Sequence, residues 1–205
     1  MELKTAISGR RSVKKFDPGH RMSDEELKVM FGQVILSPSS FNLQHWRFVV
    51  VRDAATKTLL RKAAFDQEQV EAASAVVLVL GKLAAHEDAE RIFASAPENV
   101  RKAMVPMIQG FYADKPAAQR DEAIRSGALA AMTLMLAAQD IGYASGPMIG
   151  FDAKEVCRIL RVDDRHVPVM LIVLGKQVGD LRTRADRLPA SEIVKLETFD
   201  GRGLG

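Results

Sequence analysis

The stretch from Gly127 to Ala138, GALAAMTLMLAA, constrains this chain more than any other. It forms the centre of a helical pattern that opens at Pro116 and runs to about Asp140. Because it is apolar nearly all round, the helix it forms must be covered on every side. A chain built around such a helix needs further layers to bury it. The stretch falls well short of the roughly 20 apolar residues that span a bilayer, so it reads as a core helix and not a membrane anchor. Its small residues permit close helix contact, either within one chain or against a second subunit.

The rest of the chain supplies those layers. Leu3, Ala6 and Ile7 make a short helical face. Ser23-Asp-Glu-Glu is a capping box, with Leu27, Met30, Phe31 and Val34 at helical spacing behind it and an end near Ser37-Pro38. The residues from Ser37 to Trp46 follow no period and form a polar loop that feeds a strand at Arg47 to Arg52. Asp53 caps a helix carrying Leu59, Leu60 and Ala63. The run Ala75 to Leu80 (AVVLVL) is a buried strand that Gly81 is expected to end.

From Ala84 to about Ala113 the pattern is helical, and Pro97 and Pro106 predict two or three short helices. After the long helix, Gly142 is a C-cap, Tyr143 to Ile149 is extended, and Asp152 to Leu160 is a capped helix. Val167 to Leu174 is a second buried strand, and Ile193 to Phe199 a last one. That terminal strand must find an edge, either in its own chain or on a partner's sheet. Strands mixed with helices predict an α/β or α+β layer fold around one central sheet.

Composition narrows the function classes. With 205 residues, 47% hydrophobic and 27% charged, the chain suits one or at most two compact domains. Lys plus Arg number 29 against 26 acidic residues, and the basic segments lack interleaved aromatics, so neither points to nucleic acid. The single cysteine, Cys157, cannot form an internal disulfide; beside Val156 and Leu160, with no activating base, it reads as packing. Four scattered histidines offer no zinc-site spacing, so no metal is expected. MELKTAISGRRSVKK has no apolar stretch behind its basic residues, so a cytoplasmic location is expected and a secretory signal is not. Nucleophile-elbow, zincin, P-loop and dinucleotide fingerprints are absent from the positions where they would work.

What remains is the placement of cations. One group lies in Arg10-Arg-Ser-Val-Lys-Lys15, and another, Arg182, Arg184 and Arg187, lies near the other end. They can converge on one anion, with Ser12 and loop N–H groups completing a cage, or they can be two solvated surfaces.

Four segments together resemble the FMN-dependent nitroreductase family: Arg10-Arg-Ser-Val-Lys-Lys-Phe16, Ser37-Pro-Ser-Ser-Phe-Asn-Leu-Gln-His-Trp-Arg-Phe48, Gly146-Pro-Met-Ile-Gly-Phe-Asp152, and Arg187-Leu-Pro189 with Arg184 nearby. The resemblance implies an α+β nitroreductase-like fold with a mixed central sheet covered by helices. It also implies an intertwined homodimer, with residues from about 190 to 205 wrapping onto the partner. The whole chain, 1–205, is then a single domain.

By the same resemblance, Arg10, Ser12 and Arg187 hold the FMN phosphate, with Arg11 and Lys14 near the phosphate and the pyrimidine edge. Pro38, Ser39, Ser40 and Asn42 approach from the partner. The backbone of Pro147, Met148, Ile149 and Gly150 faces the flavin ring, while Asp66 and Gln69 stand at its edge. Ile149 replaces a glutamate of some members, Asp66 a common asparagine, and Ala185 a basic residue for which Arg184 can substitute. Phe41, Phe111 and Tyr112 are candidates for the acceptor pocket, and equally for core or dimer packing.

The implied activity is ping-pong hydride transfer from NADH or NADPH through flavin N5 to a nitroaromatic, quinone or similar electron-poor acceptor. No catalytic side chain is obligatory, and the chemistry is the cofactor's. A flavin-binding sensor or carrier with little turnover is the alternative.

Overall fold

A continuous apolar run can be satisfied as a strand only where both of its faces are covered. That is the setting of Ala75 to Leu80 in the computed structural model, which describes residues 1–205. In chain order the elements are α1 (Leu3–Gly9), α2 (Asp24–Val34), β1 (Trp46–Val51), α3 (Ala54–Ala63), α4 (Glu68–Ala72), β2 (Ala75–Lys82), α5 (Ala89–Ile92), α6 (Glu98–Tyr112), α7 (Pro116–Asp140), β3 (Ala144–Met148), α8 (Ala153–Ile159), β4 (His166–Gly175) and α9 (Ala190–Ile193). Short 3-10 turns lie at Ser40–Asn42 and Ala85–Asp88.

The sheet order is β1-β2-β4-β3, and all three named pairings are antiparallel. The parallel component expected of a mixed sheet is confined to a bridge between Ser12 and Ser145. Alternation sorts the sheet's side chains. Val77, Val79, Ile172 and Leu174 face α7 and α2, packing on Met30, Val34, Ala130 and Leu134. Val76, Leu78, Leu171 and Val173 face α3, α4 and α8, packing on Leu60, Val70 and Val156. The α7 helix is therefore central to one of the two layers that cover the sheet. No helix is long and apolar enough to cross a membrane.

Local signals set the boundaries. Ser23 and Glu26 form the expected reciprocal capping box at α2, and Asp53 caps α3 by accepting from the Thr56 N–H at 2.7 Å. Asp152 caps α8 through the N–H groups of Lys154 and Glu155.

Four expectations need correcting. The centre of α7 is not covered on every side within the chain, since Leu129 is 44% and Met132 37% exposed. Gly81 does not end β2, which continues to Lys82: a Cβ at position 81 would lie 2.4 Å from the Ala123 carbonyl oxygen, so this glycine lets the strand pass close to α7. Pro106 does not interrupt α6. The helix runs through it with Val105, Ile108 and Tyr112 buried against Leu43, Ala85 and Ala89, while Pro97 supplies the N-cap. The expected strand at Ile193 to Phe199 is not formed. A four-residue helix ends at Ile193, and the remainder closes on itself through a single Lys195–Gly203 bridge, because no sheet edge of its own chain lies beside it.

Candidate functional site

The basic opening loop is held by its apolar members. Val13 and Phe16 are buried in the cluster beneath β2 and β4, which leaves Lys14 and Lys15 exposed between them and Ser12 exposed just before. The Val13 N–H donates to the Ser145 carbonyl at 3.0 Å, so the loop lies along the free edge of β3. Gly146 makes that approach possible: a Cβ there would sit 2.6 Å from the Val13 carbonyl oxygen and 2.9 Å from Val173 Cγ2. Gly146→Val is accordingly expected to destabilise the fold by about 2 kcal/mol and to push the loop off β3, an effect that thermal unfolding measures directly.

The far end of the chain arrives at the same place. Helix α1 leaves carbonyls without partners at its C-terminus, and two guanidiniums take them. Arg184 donates to the carbonyls of Ser8 at 3.0 Å and Arg10 at 2.8 Å, and Arg11 donates to those of Ser8 at 2.8 Å and Arg10 at 3.0 Å. Desolvation, followed by the like charges of Arg11, Arg187 and Arg10, pushes the Arg184 guanidinium below its ordinary value. The two cationic groups thus converge, as one of the two readings of the sequence requires. Arg187 itself turns back onto the carbonyls of Ala185 and Asp186, at 2.9 and 3.1 Å.

Beside this junction is a cavity of about 310 Å³ whose lining includes Arg11, Ser12, Lys14, Lys15 and Arg182. The side chains of Arg10, Lys14, Lys15 and Arg182 make no ion pair and no hydrogen bond within the chain. Asp180 also lines the cavity but pairs with none of them, so cations outnumber the one acid there and the local charge favours an anion.

A second cavity, of about 150 Å³, shares Ser12, Val13 and Lys14 with the first and continues past the end of β3. Gln67, Gln69, Pro147, Met148 and Gly150 complete its walls. Ile149 is 82% exposed at its rim. The backbone N–H groups of Ile149 and Gly150 donate to no acceptor in the chain, and Gly150 is among the residues lining the cavity. Gln69 is buried and reaches toward Met148 Sδ at 3.7 Å. Asp66 is not among the lining residues. Its side chain is 80% exposed and lies 4.0 Å from Arg61.

The segment from Ser37 to Trp46 stands apart from both cavities of its own chain. Pro38, Ser39, Ser40 and Asn42 line neither, and Pro38 and Asn42 face solvent. Ser39 Oγ accepts from the Gln44 N–H at 2.9 Å, and Ser40 Oγ accepts from the Tyr112 hydroxyl at 2.8 Å. Phe41 packs edge-on to Phe111 and Tyr112, with centroids 5.7 and 6.3 Å away. Tyr112 is buried whereas Phe111 is 52% exposed, with the Lys115 ammonium 5.3 Å over its ring, so within the trio Tyr112 serves packing and Phe111 stands at the surface.

Two features near the candidate site lie outside the reach of sequence reasoning. One is Gln67, whose partner is 83 positions away. The other is a buried network under the polar loop: Ser126 donates to Glu122 at 2.8 Å and lies 3.4 Å from His45 Nδ1, while Arg125 pairs with Glu122. Burial pushes His45 down to about 4; Glu122 opposes this, and Arg47 and His86 add to it. No local motif announces either feature.

The fold that brings these elements together is matched by a known family, as the profile of the Nitroreductase family matches residues 7–176. The chain belongs to the nitroreductase family. It is 40% identical to the Bacillus subtilis protein MhqN, named as an NAD(P)H nitroreductase, over 95% of this chain and 98% of that one. Among solved structures it matches ydfN of Bacillus subtilis, described as a nitroreductase, with a TM-score of 0.91 and 39% identity over 94% of this chain and 97% of that one. It also matches a protein of Exiguobacterium sibiricum, likewise described as a nitroreductase and solved in complex with FMN. There the TM-score is 0.91 and the identity 34%, over 96% of this chain and 98% of that one.

Proposed function

We propose that this protein is an FMN-dependent NAD(P)H oxidoreductase that reduces nitroaromatic compounds, quinones or similar electron-poor acceptors, and that it works as an intertwined homodimer in the reducing cytoplasm. The observation that carries the reading is the convergence of Arg10, Lys14, Lys15 and Arg182, none of them ion-paired, at a cavity with a single acid, Asp180, next to an adjoining cavity beside the unpaired N–H groups of Ile149 and Gly150. That donor set fits FMN: cations for a phosphate at one end, and N–H groups for the polar edge of a flat heterocycle at the other.

Arg10, Ser12 and Lys14 would hold the phosphate, with the charges of Arg11, Arg184 and Arg187 close by and Arg184 pinning the tail. Gln69 and the Met148 to Gly150 backbone would face the ring, and Asp66 would reach its edge only by turning from Arg61. Bound FMN would supply the hydride-transfer chemistry that links a nicotinamide donor to the acceptor. Lys14 places positive charge where negative charge develops, and Gly150, having no side chain, leaves room for close approach. The MhqN name and the FMN-bound relative support the cofactor and the nicotinamide co-substrate.

Several features support the dimer. The outer edge of β1 is unpaired, and the tail exposes Leu188, Ile193 and Phe199, the last at 97%. Leu3, Ile7 and Leu36 are exposed as well, more apolar surface than a lone chain usually shows. Pro38, Ser39, Ser40 and Asn42 would then meet the partner's cavity, and Phe41 and Phe111 would line the acceptor's approach.

The purified protein is expected to be yellow, to bleach anaerobically on addition of NADH or NADPH, and to regain its colour with a quinone. A colourless protein that takes up no added FMN would end this reading. A yellow protein that neither nicotinamide bleaches would instead be a flavin carrier or sensor.

A further inference from the structure

We propose that Gln67 is a positioning residue of the ring-side cavity, a clamp that fixes the Met148–Gly150 turn so that the free N–H groups of Ile149 and Gly150 face the ligand. The inference rests on the FMN reading for its consequence, but the clamp itself is a property of the protein alone.

The local backbone aims this side chain. After α3 the chain passes through two successive left-handed residues that are not glycine, Phe65 at φ 54° and Asp66 at φ 57°. Such residues are costly and persist only where surrounding structure holds them. They turn the chain so that Gln67, extended at φ −68° and ψ 108° as the N-cap of α4, reaches across to the other wall of the cavity. Its Nε2 donates to the Gly150 carbonyl at 2.9 Å, and its Oε1 accepts from Gln69 Nε2 at 2.8 Å. Both polar ends of the amide are therefore spent inside the protein, as expected of a strut. Gln69, buried behind it, fixes the strut's own orientation.

Met148 and Phe151 anchor the turn's ends by packing in the core cluster, but the backbone between them has few other holds. Beyond Met148 the ladder with β4 ends, Ile149 and Gly150 are exposed, and the amides of both lack acceptors. The Phe151 N–H makes only a local bond to the Ile149 carbonyl at 3.1 Å, and the Asp152 N–H donates to the Ala63 carbonyl at 2.8 Å. The end of α3 and the Gln67 amide thus grip the turn at two points on either side of Phe151. Donors fixed before binding do not have to be ordered by the ligand, and affinity and precise placement both gain.

The test uses Gln67→Met, which keeps length and volume but loses both hydrogen bonds, and Gln67→Glu, which sets a carboxylate against the Gly150 carbonyl. In FMN-free protein, amide hydrogen exchange at Phe151 and Asp152 is expected to quicken about fivefold in Gln67→Met, as expected for one lost hydrogen bond, and more in Gln67→Glu. FMN affinity, read by quenching of flavin fluorescence, is expected to fall in the same order. Unchanged exchange with weakened FMN would make Gln67 a direct ligand and overturn the clamp. Faster exchange with unchanged FMN affinity would make it a structural contact without bearing on the site, which also overturns the proposal. If the wild-type protein binds no FMN at all, the flavin reading fails, and the exchange measurement alone decides whether the clamp exists.

Discussion

Replacing Arg10 and Lys14 together with alanine is expected to weaken FMN binding about a hundredfold, from two charge-assisted hydrogen bonds worth about 1.5 kcal/mol each at this exposed site. The fold should be untouched, because neither side chain pairs with anything in the chain and both stand clear of the core clusters. Fluorescence titration of the apoprotein with FMN reads the first effect, and thermal unfolding reads the second. Equal affinity in the double variant would remove the phosphate from this end of the site. Loss of affinity at unchanged melting temperature would tie the unpaired cations to binding rather than to folding.

The second large effect is on stability and concerns His45. Its side chain is 1% exposed, and burial holds it neutral down to about pH 4, against 6.5 for a free histidine. In the unfolded chain the same ring takes up a proton as the pH falls below 6.5, while in the folded protein it does not until about 4. Its contribution is therefore fully present above pH 6.5 and is lost progressively between 6.5 and 4. The loss amounts to about 3 kcal/mol across the window. Carboxylates titrate in the lower part of this range, so the informative quantity is the difference in slope between wild type and His45→Gln in denaturant unfolding at a series of pH values. Parallel slopes would show that His45 is solvated or already charged in the folded state. Because the network lies directly beneath the loop that carries Ser39, Ser40 and Phe41, acid is expected to loosen that loop before the sheet.

Most of the architecture was legible because its causes are local. The all-apolar centre of α7, the AVVLVL run of β2, the capping box at Ser23 and the caps Asp53 and Asp152 each act through neighbours a few residues away, and each element appears where its signal stands. The errors share a different cause. Reading Gly81 as a terminator fails because its spatial neighbour, Ala123, is far along the chain, and β propensity alone predicts a terminal strand although that segment's backbone bonds only to itself.

The site divides the same way. Cation type and spacing marked Arg10 to Lys15 and the returning arginines, but which cations stay free depends on tertiary detail. Arg11 and Arg184 are spent partly on the carbonyls at the end of α1, whereas Arg10 and Lys14 are not. Gln67 could not have been singled out at all, since a glutamine beside another glutamine carries no pattern until Gly150 is brought to it.

The order β1-β2-β4-β3 bears on how the protein is made. The strand that joins the two halves of the sheet is β4, the last of the four to leave the ribosome, and β3 pairs with no other strand. Until residues 166–175 emerge, the mostly apolar strand β2 keeps one edge of unpaired backbone groups open and β3 lacks its partner strand. A nascent chain stalled before His166 is then not a smaller domain but a sticky fragment, a natural client for chaperones and proteases. Completion of a single late strand closes the sheet, seats the basic loop along β3 and forms the ring-side cavity, so cofactor loading is expected to follow translation.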